Sequence, residues 1–425
     1  MKARLLLTAL LIAHVSSLQA QQEKRWMKHQ ISTLSGTTMH GRGYVNKGVE
    51  RAANYISRKF KEFGLLSFSS DSSYFQTFSF PVNTFPRSAS LKLQKKELIP
   101  GAGFIVHEAS SGYHTDKIKL KTIDLRKVKD SAEWEGVKAD LKPDKAYLLK
   151  NADTVIKYMS FNRMSFGEEF PAGLFIIPVH GKLTWSVATD TIPATIYYVE
   201  DTVMPKRIHK VAAELDNKFI RNFKSQNVLG FVPGTEKPDS FIVFSAHFDH
   251  LGKMGPALFP GAHDNASGTA LMLYLASYFA QHPQKYSVAF FAFSGEEAGL
   301  LGSKYFTEHP VVPLNSIRFV VNVDMTGDAT NGITVVNAVE QKRAYALLNS
   351  INDTAKYLPE IKQRDQSHNS DHYYFSKNGV PAIFIYGNGT KPYYHDVFDK
   401  ANELSLENID GLVKLLIDFV EKIED

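Results

Sequence analysis

Three features are missing from this sequence of 425 residues. It contains no cysteine, which excludes disulfide bonds, thiol nucleophiles, zinc sites built from cysteine and lipid anchors attached to cysteine. It has no apolar run long enough for a membrane helix. It also lacks a dense run of Lys and Arg, and its formal net charge is only +5. We therefore expect neither a nucleic-acid partner nor a membrane partner.

The N-terminus has the pattern of an export signal. Lys2 and Arg4 precede an apolar run from Leu5 to Val15, and Ala20 offers a small residue for cleavage. We predict a secretory signal peptide over residues 1–20 and exclude it from the fold. Export without cysteine favours a bacterial protein, either periplasmic or secreted, over a eukaryotic extracellular one.

The length and the changes of pattern along the chain predict two domains. Residues 47–64 place apolar side chains at helical spacing and end at Gly64. Residues 86–200 contain short alternating segments such as IPATIYYV and few helical stripes. We predict a larger domain formed by residues 21–85 and 201–425, interrupted by an inserted, mostly β domain over residues 86–200.

The larger domain is predicted to be α/β. Apolar segments typical of buried strands alternate with helical stripes after about residue 225. The expected fold is a mixed, mostly parallel central sheet with helices on both faces. The strand candidates are 227–232, 241–247, 286–293, 318–324 and 380–387.

Acidic and imidazole side chains follow these strands. Because ligands of open α/β sheets bind beyond the carboxyl ends of the strands, we expect these side chains to meet at one edge. They are His247, Asp249, Asp264, Glu296, Glu297, Asp324 and His395.

Histidine and carboxylate groups without cysteine suit Zn²⁺ or a similar divalent ion. Two zinc ions would be neutralised by Asp264, Glu297, Asp324 and one hydroxide if one carboxylate bridged the metals. Glu296 would then be free to accept a proton from the water. This division of roles explains why a strand that is apolar enough to be buried, YSVAFFA, leads into two adjacent glutamates.

The constellation resembles the co-catalytic zinc aminopeptidases of bacteria, whose relatives include folate-hydrolysing carboxypeptidases, glutaminyl cyclases and the transferrin-receptor ectodomain. The matching motifs are AHFDHLG, GAHDNASG, SGEEAGLLGS, VDMTG and YYHDVFD. The match covers residues 225–400, and residues 38–65 look like the N-terminal segment of that family. Some members carry a protease-associated domain at the place of residues 86–200, so the insert is assigned by position.

The resemblance implies a ligand set for two zinc ions. His247 and Asp324 would hold one ion, Glu297 and His395 the other, and Asp264 would bridge them. The implied substrates are peptides with a free N-terminus, and the implied reaction is release of N-terminal residues. No residue in the sequence indicates the preferred side chain or the oligomeric state.

The resemblance also implies roles beside the ligands. Glu296 would be the general base, and Asp249 would hydrogen-bond His247 and fix its tautomer. Tyr394 matches a residue that stabilises the transition state in some members. His263 departs from the family, in which another Asp commonly precedes the bridging one. Two further family positions to which we assign no role are His250 and Asp371.

Two other functions stay open at this point. A glutaminyl cyclase uses the same fold with one working zinc, and a carboxypeptidase-type relative removes residues from the other end. A non-catalytic binding protein would be expected to have lost ligands, whereas all five ligand positions are intact here. The main prediction is therefore a di-zinc exopeptidase of the aminopeptidase type.

Overall fold

A computed structural model describes residues 21–423 of the chain. The predicted signal peptide over residues 1–20 lies outside the described residues. Among the helices of residues 21–423, none combines the length and apolar content needed to cross a membrane.

The first of two eight-stranded sheets forms the larger domain. The pairs in its centre, β14–β11–β15–β18, are parallel, and antiparallel pairs flank them on both sides. This confirms the predicted α/β class with a mixed central sheet. The strands, numbered along the chain and given in spatial order, are β1 (Phe75–Thr84), β10 (Lys218–Val232), β14 (Tyr286–Phe293), β11 (Lys237–His247), β15 (Ile317–Val323), β18 (Ala382–Gly387), β16 (Ile333–Val336) and β17 (Ile361–Arg364).

Helices cover both faces of this sheet. Residues 21–34 are helical, and the labelled helices of this domain are α1 (Gly48–Phe63), α5 (Gly268–Gln281), α6 (Leu301–Glu308), α7 (Lys342–Ala355), α8 (His372–Lys377) and α9 (Ile409–Lys422). Along β11, Ile242 and Phe244 join one hydrophobic core with α1, α5, α7 and α9, whereas Val243 joins another core with Phe306 and Phe375 of α6 and α8. This alternation follows from the period of two along a strand. The sheet is therefore buried on both sides, as its apolar strands predict.

Helix α1 lies where the sequence pattern predicts it. It ends at Gly64, which has φ +79° and donates its backbone N–H to the carbonyls of Phe60 and Lys61. A glycine takes this left-handed conformation without steric cost. The apolar stripe of the helix, including Val49, Ile56 and Phe60, packs into the larger core.

The second sheet forms the inserted domain. It contains β3 (Lys96–Glu97), β2 (Ala89–Leu93), β9 (Lys210–Leu215), β5 (Tyr113–Asp124), β6 (Ala146–Lys150), β7 (Gly173–Val179), β8 (Ala194–Glu200) and β4 (Phe104–Val106), in that spatial order. Three helices accompany it: α2 (Ser131–Ala139), α3 (Ala152–Met159) and α4 (Arg163–Glu168). Strand β9 pairs with both β2 and β5, so the sheet continues to Leu215, beyond the predicted boundary at residue 200. The insert has its own hydrophobic core, and a short hairpin of the larger domain, β12 (Gly252–Met254) and β13 (Ala257–Phe259), packs against it.

Candidate metal centre

Five chain segments bring polar side chains to one edge of the larger sheet. His247 is the last residue of β11, Glu296 and Glu297 follow β14, and Asp324 follows β15. Asp264 lies in an irregular turn, Ala262–Ser267, that leads into α5, and His395 lies in the loop after β18. Because β11, β14, β15 and β18 are parallel, their carboxyl ends meet at this edge.

His247 faces two carboxylates. Its Nε2 lies 3.3 Å from Asp264 Oδ1 and 3.3 Å from Asp324 Oδ1. All three side chains are buried. Ser370 donates a 2.9 Å hydrogen bond to Asp324 Oδ2, which leaves Oδ1 directed at the histidine.

His395 faces a second pair of carboxylates. Its Nε2 lies 3.1 Å from Asp264 Oδ2 and 3.1 Å from Glu297 Oε2. Asp264 is thus shared: one of its oxygens faces His247 and the other faces His395. This is the arrangement expected of a carboxylate that bridges two metal ions.

The residues present fit a divalent metal. Ligand atoms of His247, Asp264 and Glu297 lie within 4.8 Å of one another, as do those of His247, Glu296 and Asp324. Asp324 Oδ1 is buried without a hydrogen-bond partner within the described protein. A buried carboxylate oxygen needs a cation or a donor, because its desolvation is otherwise uncompensated. Imidazole and carboxylate donors without thiolates match the ligand preference of Zn²⁺.

The two adjacent glutamates have opposite electrostatic environments. Burial raises the pKa of Glu296 well above its ordinary value; His247 opposes this effect and the carboxylate of Glu297 reinforces it. Burial also acts to raise the pKa of Glu297, but His395 and His250 outweigh it and lower the pKa to about 2. These surroundings therefore favour the ionised form of Glu297 and the neutral form of Glu296.

Asp249 supports the site differently from the predicted way. Its carboxylate lies 3.8 Å from His247 Nδ1, too far for a hydrogen bond, and the nearer partner of this nitrogen is the Asp249 main-chain oxygen at 3.2 Å. The carboxylate instead accepts the hydroxyl of Tyr44 at 2.5 Å and the backbone N–H groups of Glu296 and Glu297, both at 3.3 Å. Asp249 thus positions the two glutamates, while its carbonyl orients His247.

Arg42 holds the loops that carry two of the site residues. Its guanidinium is fully buried, and its five N–H groups donate to main-chain carbonyls at 2.7–3.2 Å. The accepting residues are Leu34, Phe248, Pro260, Gly261 and Asp264. Burial lowers the pKa of Arg42 to about 10, so that it stays protonated at neutral pH.

The remaining predicted positions all lie at or beside this centre. His250 Nδ1 is 2.6 Å from Glu297 Oε1, which gives this histidine a role in orienting Glu297. The Tyr394 ring stacks on His395 with centroids 3.8 Å apart. Asp371 is buried near Asp249 and Asp324, and burial raises its pKa to about 7.

A cavity of about 140 Å³ opens above the cluster. Glu296, Tyr394 and His395 line it, together with three residues that the sequence reasoning missed: Met325, Asn369 and Phe384. Met325 directly follows Asp324, and Phe384 lies on β18, so their positions relative to the strand ends could have indicated them. Asn369 lies in a loop that has no such signal.

Comparison with known proteins relates part of the chain to a family of peptidases. Residues 227–420, which lie in the larger domain, match the model of Peptidase family M28. This chain is 30% identical to Aminopeptidase YwaD of Bacillus subtilis over 208 aligned residues, and the alignment covers 46% of this chain and 44% of that protein. It is 28% identical to a probable leucine aminopeptidase of Arthroderma otae over 224 aligned residues, and the alignment covers 48% of this chain and 59% of that one. The chain thus spans about half the length of the curated relatives it matches.

Solved structures share the whole architecture. A zinc aminopeptidase from Bacillus subtilis aligns with a TM-score of 0.66 over 95% of this chain and 96% of its own, at 19% identity. An aminopeptidase from Aneurinibacillus sp. strain AM-1 aligns with a TM-score of 0.61 over 93% of both chains, also at 19% identity. These alignments extend over both the larger domain and the insert, and at this level of identity they establish the fold alone.

Proposed function

We propose that the protein is an exported zinc exopeptidase that releases N-terminal residues from peptides. The observation that carries the proposal is the position of Asp264 between His247 and His395, with one carboxylate oxygen toward each. The names of the sequence relatives support aminopeptidase activity. Export and a protease-associated role of the insert rest on the sequence patterns described above.

In this proposal His247 and Asp324 would hold one zinc ion, Glu297 and His395 would hold the other, and Asp264 would be shared between them. Bound zinc would polarise the scissile carbonyl and lower the pKa of a bound water toward 7. Glu296 would serve as the general base, which takes a proton from the attacking water and gives it to the leaving amine. The environment of Glu296, which raises its pKa well above the ordinary value, suits a group that must take up a proton and release it again. Tyr394, at the wall of the cavity, is placed to contact the substrate.

The deciding experiment separates the two glutamates. In Glu296→Gln the carboxamide keeps the shape of the side chain but cannot accept a proton, so kcat should fall about 10²–10⁴-fold with both metals retained. In Glu297→Gln a neutral amide replaces an anionic ligand, so one zinc should weaken and activity should partly return as zinc is raised. The measurement is metal content, KM and kcat of both variants across a zinc titration.

Three results would contradict the proposal. If Glu296→Gln loses metal while an inactive Glu297→Gln keeps its full metal content, Glu296 is the ligand and Glu297 is the general base. Near-normal kcat in Glu296→Gln, or near-normal kcat in Glu297→Gln without added zinc, would contradict the mechanism. A wild-type protein that takes up one zinc only, even with excess zinc, would favour the glutaminyl cyclase function.

Assays of peptide cleavage also determine from which end of the peptide residues are released. An aminopeptidase must recognise a free ammonium group, so N-acetylated peptides should resist cleavage while the free peptides are cut. Equal cleavage of both, or release of residues from the C-terminus, would point to a carboxypeptidase-type relative with the metal centre intact.

A further inference from the structure

The inserted domain contributes two hydrogen bonds to His395, which belongs to the larger domain. Its Nδ1 lies 2.9 Å from the main-chain oxygen of Trp185, and the Trp185 backbone N–H donates to the His395 carbonyl at 2.9 Å. This reciprocal pair joins residues that are 210 positions apart in the sequence. A proton on Nδ1, donated to the Trp185 oxygen, leaves the Nε2 lone pair free for a metal.

The backbone of His395 needs such support. Its φ is +54°, in the left-handed region, which residues other than glycine adopt infrequently. A residue stays in this conformation when surrounding contacts fix it. The hydrogen bonds to Trp185 involve both the main chain and the ring of His395, so they fix the conformation and the ring orientation together.

Trp185 is itself anchored within the insert. Its side chain is buried, and its indole Nε1–H donates to the carbonyl of Val106 on β4 at 3.0 Å. Arg163 at the start of α4 donates to the carbonyl of Thr184 at 2.7 Å. The position of the Trp185 main chain is thus determined by the folded insert.

Lys182 makes a second connection to the same loop. Its Nζ lies 2.7 Å from Asp396 Oδ2 and also donates to the carbonyl of Pro392. The Asp396 side chain is only 3% exposed, and its other oxygen accepts the backbone N–H of Phe398 at 2.8 Å. The ammonium group of Lys182 therefore neutralises a buried carboxylate that organises the loop around His395.

We propose that the insert is a working part of the metal centre, with Lys182 and Trp185 as positioning residues for His395. This inference rests on the proposed function and refines it: the insert should control the affinity of the ion held by Glu297 and His395. The ion held by His247 and Asp324 should be insensitive to the insert, because those side chains take their support from the larger domain.

The test is a metal titration against a competing chromophoric chelator. Lys182→Met leaves Asp396 without its cation and should weaken one of two zinc-binding steps about 10–100-fold, the usual effect of removing a group that orients a ligand. Lys182→Arg keeps the charge and should restore most of the affinity. Lys121→Met, at an exposed lysine on β5 of the same domain, is the matched control and should bind both ions like the wild type.

A second readout needs no metal. In protein labelled with ¹⁵N-histidine, the Nδ1 proton of His395 should be protected from exchange in the wild type and in Lys121→Met, and should exchange faster in Lys182→Met. If Lys182→Met does not fold, Asp396→Asn removes the same ion pair without leaving a buried charge and should give the same two results.

Two outcomes would overturn the inference. One is unchanged affinity for both ions together with an unchanged Nδ1 proton in Lys182→Met or Asp396→Asn. The other is an equal loss at both binding steps in the folded variants, since the insert would then have no selective effect on His395. If the wild type binds no zinc, the proposed function itself fails, and the ¹⁵N measurement still reports whether the insert orients His395.

Discussion

The substitution Arg42→Lys tests whether a buried cation holds the turn that carries Asp264. The guanidinium satisfies five main-chain carbonyls from three parts of the chain, and the side chain is completely buried. Lysine keeps the charge but has only three donors, all at a single nitrogen, so it cannot reach carbonyls arranged around a planar fork.

The expected loss of stability follows from the number of carbonyls that lose a hydrogen-bond partner. At least two of the five must do so, and each buried unsatisfied group costs about 1–3 kcal/mol. We therefore expect Arg42→Lys to lower the free energy of unfolding by about 2–6 kcal/mol. Because Asp264 and the carbonyl of Phe248 next to His247 are among the affected positions, both zinc-binding steps should weaken as well.

The assay is urea unfolding followed by far-ultraviolet circular dichroism, with chelator present so that metal binding does not contribute. Arg51→Lys is the control, because Arg51 is exposed on α1 and its substitution should change stability by less than about 0.5 kcal/mol. A loss below about 1 kcal/mol in Arg42→Lys, with unchanged zinc affinity, would refute the reasoning that this side chain supports the site.

Two further predictions concern packing and pH. Gly302→Ala should destabilise the fold severely, because a Cβ there would lie 2.1 Å from the backbone carbonyl oxygen of Ser294. Gly136→Ala, at an exposed position of α2 where a Cβ would meet no atom within 4 Å, is the comparison, and thermal unfolding of both variants measures the difference. The pKa of buried His372 is lowered by burial to about 4, against about 6.5 in an unfolded chain, so the unfolded state binds the proton first as pH falls. The free energy of unfolding should therefore decline by up to about 3 kcal/mol between about pH 6.5 and pH 4, and His372→Phe should remove this part of the decline. The measurement is urea unfolding of both proteins at several pH values. Parallel curves of unfolding free energy against pH for the two proteins would contradict the prediction.

The meeting of the candidate residues at one sheet edge could be predicted because it follows from the order of strands, whereas their division into ligands and general base came from the family resemblance. His247, Glu297 and Asp324 lie at or just beyond the ends of apolar segments. Such segments are buried within the sheet and end where the sheet ends, and parallel strands end at the same edge. The helix that ends at Gly64 and the mixed α/β sheet were also predictable, because the spacing of apolar residues along the chain indicates both. The boundary of the insert was less predictable, because β9 has the same alternating pattern as strands of either domain and only its pairing assigns it to the second sheet.

The groups that support the ligands could not be predicted from the sequence. Tyr44, Trp185 and Arg42 act through contacts with residues more than 200 positions away, and a main-chain carbonyl such as that of Trp185 has no sequence signature at all. The family resemblance assigned the role of Asp249 to its carboxylate. The structure gives that role to the carbonyl of the same residue, which any amino acid could supply.

The departure at His263 has a physical explanation in the same terms. The backbone N–H groups of His263 and Asp264 both donate to the buried carboxylate of Asp399, at 2.7 and 3.1 Å, while Arg42 binds the carbonyls of Gly261 and Asp264. The turn is thus held through its main chain on both the donor and the acceptor side, and the side chain at position 263 takes no part in these contacts. A negative charge beside the turn comes from Asp399, far along the chain, so position 263 need not provide one. Because the backbone is fixed independently, both carboxylate oxygens of Asp264 remain free to face His247 and His395, which is the geometry that a bridging ligand requires.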